Sequence, residues 1–457
     1  MLRSNRARTL AGWTMALCCS AAMAAAQEPA ASPEPEPVPA EQGPRFHLGG
    51  ELKTHFRDAK ALAVLDEFPF PPSFRPNNDA TIQIFERTVA PQPSFDISTV
   101  TLRGEGELSS AVSAKIEVHF LELYSRNPTS SDDRIAVREA WVLVGHRPET
   151  LREAHGSSAY VQVGLAPRFS KQMTRRLESY GLWGTAVGRF EQPQLQVGGI
   201  LGSHVYWRGM VGNGNPVFFR DPNALAGDNG TPERVPGAVN PIYESGFPIL
   251  YDAKFQDLNP SGTFEWGAGL GLRAAGERSA VDVLGWYFKR GLQDVVRIRG
   301  TFYSGDIKLL KGVFVPLPFS GHDKHELGLN LEARLGGGRL YAQYVDQEIA
   351  SLPRRGLEAE LAWRLPLNGL FLVGESPVGN WIQPVIRVST IDNRFVTPRE
   401  FPAPSVGWDW KKYDLGLRVG LVREVDLTAE YSRNDVTLPS GEKIHPDELL
   451  ITLRAGF

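Results

Sequence analysis

The chain has 457 residues, with 49 Lys and Arg against 52 Asp and Glu, and 42% of its residues are hydrophobic. So even a balance gives no electrostatic footprint for nucleic acid. Both cysteines, Cys18 and Cys19, lie within the first 26 residues, so a chain that sheds them has no thiol for a disulfide, a metal site or a nucleophile.

Met1 to Arg8 carries Arg3, Arg6 and Arg8 and no acid, and Leu10 to Ala25 is apolar and rich in small residues. Ala24-Ala25-Ala26 then offers an A-x-A cleavage site before Gln27, so residues 1–26 read as a secretory signal peptide. A lipoprotein signal built on Cys18 or Cys19 is the alternative, but Leu17 and Cys18 make a poor approach to a lipidated cysteine. Cleavage would leave 46 basic and 52 acidic groups, a net charge of −6. The next stretch, residues 27–44, reads QEPAASPEPEPVPAEQGP. It is expected to be a periplasmic linker, disordered or in polyproline II, the latter reaching roughly 55 Å at about 3.1 Å per residue.

From Arg45 onward the pattern is two-residue alternation. Phe46, Leu48, Gly50, Leu52, Thr54 and Phe56 alternate with His47, Gly49, Glu51, Lys53, His55 and Arg57. Similar segments follow at Ala111–Phe120, Phe264–Arg273, His325–Leu335, Gly356–Leu365, Tyr413–Leu421 and Val425–Tyr431. No apolar run of about 18 residues follows the leader, which excludes a helical membrane span. Alternating strands of about 9–11 residues instead suit a closed transmembrane antiparallel β-barrel, with one face toward lipid and one toward a lumen. Short connections are expected at Leu335–Gly338 and Val422–Glu424, and long loops at Asp58–Ala80, Asn213–Phe247 and Asp392–Trp410. Trp207, Trp286, Trp381, Trp408 and Trp410 are expected in interfacial girdles. Residues 45–457, at about 26 per strand plus connection, give roughly 16 strands, or 18 if Val295–Val315 is cut in two. A barrel of that width encloses water and conducts solutes unless plugged.

The chain closes on DELLITLRAGF, in which Leu449, Ile451, Leu453, Ala455 and Phe457 share one strand face. This resembles the terminal strand of bacterial outer-membrane barrels, which the barrel assembly machinery recognises, and marks Phe457 as the expected assembly signal. Arg138-Glu139-Ala140-Trp141-Val142, followed by Tyr160-Val161-Gln162-Val163-Gly164-Leu165-Ala166-Pro167, resembles paired strands of the phosphate-selective porin O/P family. Arg355-Gly356, opening a later strand, is similar too. The resemblance implies a trimeric, 16-stranded, anion-preferring channel with loops folded into the pore.

The cationic run Arg168, Lys171, Arg175 and Arg176 follows the second of those strands, and Arg189 lies nearby. In a loop turned into the lumen these groups, with Lys115 on the wall, would act as fixed charges for pore selectivity. A solvated external loop in contact with lipopolysaccharide is the alternative. The lumen faces of the strands mix Lys53, Arg57, Arg273, Arg387 and Arg418 with Glu117, Glu265, Glu326, Glu358, Asp414 and Glu430. That mixture suits general diffusion better than strict phosphate selectivity. His119 beside Lys115 and Glu117 reads as pore lining, and His322 and His325 lack a third metal ligand. No catalytic residue, metal or cofactor is expected. The reading is an outer-membrane porin for small anionic or neutral hydrophilic solutes. The alternatives are a structural, partner-binding barrel or an outer-membrane enzyme.

Overall fold

The computed structural model describes residues 44–69, 81–87, 93–122, 135–147, 157–170, 176–179, 181–183, 191–214, 233–234, 242–246, 264–291, 323–349, 352–367, 369, 371–373, 376–394, 407–438 and 440–457. Within these, one antiparallel ladder closes on itself. Its staves are β1 (Arg45–Ala59), β2 (Ser94–Ser109), β3 (Val112–Glu122), β4 (Ala136–Gly145), β5 (Ser158–Pro167), β6 (Glu191–Leu201), β7 (Val205–Gly212) and β8 (Glu265–Ala275). They continue with β9 (Ser279–Gly291), β10 (Asp323–Leu335), β11 (Gly338–Ile349), β12 (Leu352–Trp363), β13 (Trp381–Asn393), β14 (Asp409–Val422), β15 (Val425–Thr437) and β16 (Glu448–Gly456). Leu365–Pro366 extends β12 along β13, and Lys443–Ile444 extends β16 along β15. Each stave pairs with its neighbours in sequence, and β16 returns to β1 with Glu51 opposite Gly456 and Ala59 opposite Glu448. Among the described residues the barrel therefore has sixteen strands. Val295–Val315 lies outside them, and closure does not need it.

Alternation runs in the sense opposite to that of a water-soluble protein. Along β14, Lys412, Asp414 and Arg418 are buried while Tyr413, Leu415 and Leu417 are exposed. The same phase holds along β1, β8, β13, β15 and β16, so the apolar side chains form an outer belt. Sheet closure leaves no unpaired edge for lipid to meet. A closed barrel with this belt and a charged interior spans a membrane, and the bacterial outer membrane is where such barrels reside.

Both ends of the ladder lie on one rim, where the connections are short. Gly336 turns between β10 and β11 with φ 55°, and Glu424 turns between β14 and β15 with φ 64°. These are the two short connections expected from the sequence. The strands run from 8 to 16 residues, longer in most cases than the 9–11 expected, because pairing continues into the rims beyond the apolar belt. At the opposite rim, Ala63–Pro69, Thr81–Arg87, Ile242–Gly246 and Glu233–Arg234 form a separate small sheet. Most of the three long loops named from the sequence, together with residues 1–43, lies outside the described residues.

Four of the expected girdle tryptophans face inward, among them Trp381, whose ring fills the space a Gly420 side chain would need on the lumen face beside Arg418. Trp286, Trp408 and Trp410 are all at most 4% exposed. Trp286 Nε1 donates to Asn330 Oδ1 at 2.9 Å, and Trp410 Nε1 donates to Asn434 Oδ1 at 3.0 Å. Trp410 shares the parity of Lys412 and Asp414, so its phase already assigned it to the lumen. Trp207 does face outward, as does Trp266.

Candidate functional site: the segment inside the lumen

The chain leaves β5 at Pro167 and does not stay over the rim. Arg168 crosses to the far wall, where its guanidinium meets Glu265 on β8 at 3.3 Å and Glu326 on β10 at 2.5 Å. It also lies over the Phe288 ring, 3.8 Å from the centroid, and Phe169 packs on the same ring. Asn330 Nδ2 on β10 and Gln343 Nε2 on β11 both donate to the Ser170 carbonyl, at 2.9 and 3.2 Å.

The segment then follows the wall. Arg176 Nη1 donates to Glu360 Oε1 on β12 at 2.6 Å. Leu177 is buried with Ala362 and Val385, and it lies in the gap left by Gly416 on β14. The Glu178 amide donates to Glu430 on β15 at 2.8 Å, and its carboxylate meets Lys53 on β1 at 3.4 Å. The Ser179 hydroxyl donates to Glu430, and the Ser179 carbonyl accepts from Arg387 Nη2 on β13 at 2.8 Å. Trp183 donates its backbone N–H to Glu358 at 3.0 Å and its indole N–H to the Thr390 carbonyl at 2.8 Å.

Two glycines make the seat. A methyl group at Gly356 on β12 would overlap the Trp183 indole, and one at Gly181 would overlap the Glu358 carboxylate. A glycine inside a strand often marks such a close approach. Beneath the segment, Arg387 gathers Glu360 at 3.7 Å, Asp414 at 2.8 Å and Glu430 at 3.9 Å. All four are essentially unexposed. Buried charges persist in a fold only when paired and hydrogen-bonded, and the Ser179 contacts complete this set.

The segment covers the wall from β8 round to β15 and leaves free space on the other side. That cavity has a volume of about 820 Å³ and is lined by residues of β1–β10 together with Pro167, Arg168 and Phe169. Its charged lining mixes signs, with Lys115, Arg147, Arg168, Arg208 and Arg273 facing Glu105, Glu107, Glu139, Asp282 and Glu332.

Of the residues singled out for selectivity, Arg168, Arg176 and Lys115 all lie inside the barrel, and each is ion-paired. Lys115 Nζ sits 3.1 Å from both Glu117 and Glu139. Lys171, Arg175 and Arg189 lie outside the described residues. His119 lies on the lumen face beside Glu117 at 2.9 Å. Sequence reasoning missed Ser179, Leu177 and Trp183, whose anchoring depends on strands 175 to 253 positions away. The available signals were Gly356 and Gly416, glycines on the polar faces of their strands. Phe457 sits on the outer face at the turn rim. Its backbone exchanges hydrogen bonds with Gly50 at 3.1 and 3.2 Å, and its ring occupies the space a Gly50 side chain would need.

No protein-family model matches the sequence, and a search of curated proteins finds no match. Among solved structures, the chain is similar to an outer-membrane protein, OmpT of Vibrio cholerae in its trimer form, with 10% identity over 91% of this chain and 100% of that one, TM-score 0.46. It is similar to the outer-membrane channel DcaP of Acinetobacter baumannii, with 10% identity over 91% and 98% of the two chains, TM-score 0.49. It is also similar to an anion-selective porin from Comamonas acidovorans, with 8% identity over 91% and 100%, TM-score 0.44. With scores this low, the fold assignment rests on the strand ladder itself.

Proposed function

We propose that the protein is an outer-membrane porin, a passive diffusion channel for small hydrophilic solutes with a modest anion preference. The observation that carries this reading is the segment after β5, which narrows a sixteen-stranded lumen yet leaves a charged cavity of about 820 Å³ beside it. A barrel of this strand number encloses water. A low-dielectric wall enlarges the field of the charges that line a narrowed path, which gives them leverage over passing ions.

The preference is modest because most of the cations are matched. Arg168, Arg176 and Lys115 each stand against acids, so their positive field is largely local. Lys171, Arg175 and Arg189 belong to the same proposal as further fixed charges of the loop. The short O/P-type motifs support an anion channel and a homotrimer, and the mixed lining argues against strict phosphate selectivity. In the same reading, residues 1–26 direct export, 27–44 span periplasm, and Phe457 is the handle for the barrel assembly machinery.

The test is the reversal potential of purified protein in planar bilayers under a KCl gradient. Wild type should favour chloride modestly. The Arg168, Lys171, Arg175 and Arg176 quadruple Ala variant should shift toward potassium, because four positive charges leave the segment while, among the described residues, Glu265 and Glu326 keep only Lys324, and Glu360 only Arg387. An unchanged ion ratio sinks the selectivity role of the loop. Folded protein that never conducts sinks the channel reading and favours a structural or partner-binding barrel.

A further inference from the structure

On the cavity wall opposite the segment, arginines and aromatic rings alternate. Arg147 lies 5.6 Å from the Trp141 ring centroid and 5.9 Å from that of Tyr160. Arg208 lies between Tyr160 at 5.0 Å and Tyr206 at 5.2 Å, and Arg273 lies 5.9 Å from Tyr206. The six side chains come from β4, β5, β7, β8 and the stretch just after β4, and all six residues line the cavity. Both tyrosine rings lie along the wall over glycines, Tyr160 over Gly198 and Tyr206 over Gly271, where any side chain would displace them.

This stack differs from the cations at the inward segment because its N–H donors are not used up by ion pairs, although Asp282 stands opposite Arg273 in the β8–β9 ladder. Arg208 Nη1 and Arg273 Nε and Nη2 are buried without a hydrogen-bond partner among the described residues, and Arg273 is only 7% exposed. Arg147 has a neutral partner, donating to Gln162 Oε1 at 2.7 Å. The nearest acid, Asp282, is engaged by the Tyr206 hydroxyl, which donates to it. A cation over an aromatic face is held by the ring quadrupole, which keeps a guanidinium in place without consuming its N–H donors. The donors left over form the planar fork that suits a carboxylate or phosphate.

We infer that the Arg147–Arg208–Arg273 stack is a binding site for small oxyanions, and specifically for monocarboxylates, rather than only a stretch of charged wall. The neighbouring acids select the class. Asp282 and Glu332, directly opposite each other on β9 and β10, line the same cavity. A monoanion meets less repulsion from these two carboxylates than a phosphate dianion does. The inference deepens the channel reading, and its meaning for transport rests on that reading.

Binding is measured by isothermal titration calorimetry on the folded, detergent-solubilised protein, with benzoate, acetate and inorganic phosphate as separate titrants. Benzoate and acetate should each saturate a site and bind more tightly than phosphate. Arg208→Gln and Arg273→Gln should each weaken that binding by about tenfold to a hundredfold, the value of one lost charge-assisted hydrogen bond. Arg433→Gln, at the far rim, should leave it unchanged. Folding of every variant is checked by heat-dependent electrophoretic mobility. Arg273→Lys, which keeps the charge but loses the fork, should fall between wild type and Arg273→Gln. Tighter binding of phosphate overturns the assignment to carboxylates. No saturable binding by folded wild type, or wild-type affinity in both Gln variants, overturns the site. Because calorimetry needs no conduction, binding without conductance defeats the channel reading alone, and conductance without binding defeats the site alone.

Discussion

The seat of Trp183 gives a test in which a small change should act against its usual sign. Replacing a strand glycine with alanine normally stabilises a fold by about 0.5–1 kcal/mol, since the chain loses less freedom on folding. At Gly356 the new methyl would overlap the indole Nε1, Cε2 and Cδ1. The ring would have to retreat by on the order of 2 Å to reach ordinary van der Waals separation. Trp183 is 1% exposed, and its Nε1–H donates to the Thr390 carbonyl at 2.8 Å. Complete loss of a buried Trp contact costs about 3–5 kcal/mol, and the broken hydrogen bond costs about 1 kcal/mol more. The ladder of β12 gains from the same alanine. The barrel of Gly356→Ala should therefore fold normally while the inward segment comes loose. Single-channel recording should show larger and noisier conductance than wild type, and trypsin should cut at Arg176, which its Glu360 contact otherwise holds against the wall. Wild-type conductance together with a protected Arg176 would refute the seating of Trp183 on β12.

Other substitutions probe separate parts of the argument. Arg387→Gln leaves Glu360, Asp414 and Glu430 buried around a neutral group. Breaking a buried pair in this way costs about 3–5 kcal/mol, which a lowered urea midpoint of the folded barrel would register. An unchanged midpoint would mean that water already reaches the cluster. Leu415 stands mid-strand on the outer belt at 60% exposure, so Leu415→Arg should cost about 2–4 kcal/mol in reversible folding into lipid vesicles. Glu105→Gln, on the cavity wall, should leave that folding free energy within error of wild type, and equal defects in the two would defeat the inside–outside assignment. Phe457→Ala should lower the yield of heat-modifiable barrel in cell envelopes while refolding in detergent stays intact, and parity in both assays would remove Phe457 as an assembly handle.

The sequence made the barrel legible and left its filling obscure. Strand phase is a local property, so Leu415 against Asp414, or Leu453 against Thr452, could be assigned before any pairing was known. Even the strand number came close from length alone. Trp286, Trp381, Trp408 and Trp410 went astray because residue type was given more weight than phase. The inward segment was anticipated from the cations at Arg168 and Arg176, yet their neutralisation was not. Glu265, Glu326 and Glu360 belong to strands that meet the segment only after the ring has closed. Period-two alternation shows that a carboxylate faces the lumen and is silent about what lies across it. The arginine–aromatic stack was hidden for the same reason, since its members come from staves whose lumen faces align only through register.

The route of the inward segment also sets an order on assembly. The segment is synthesised after β5, but its anchors Glu358, Arg387, Asp414 and Glu430 belong to β12–β15, and Lys53 belongs to the first stave. Closing contacts across such sequence distances is slow compared with pairing neighbouring hairpins. The acids on those late strands have no partners from the segment until then, so the last strands enter the bilayer with an ionised, wet interior. Protection of Arg176 from trypsin is consequently a clock for the arrival of β12, whose Glu360 holds it.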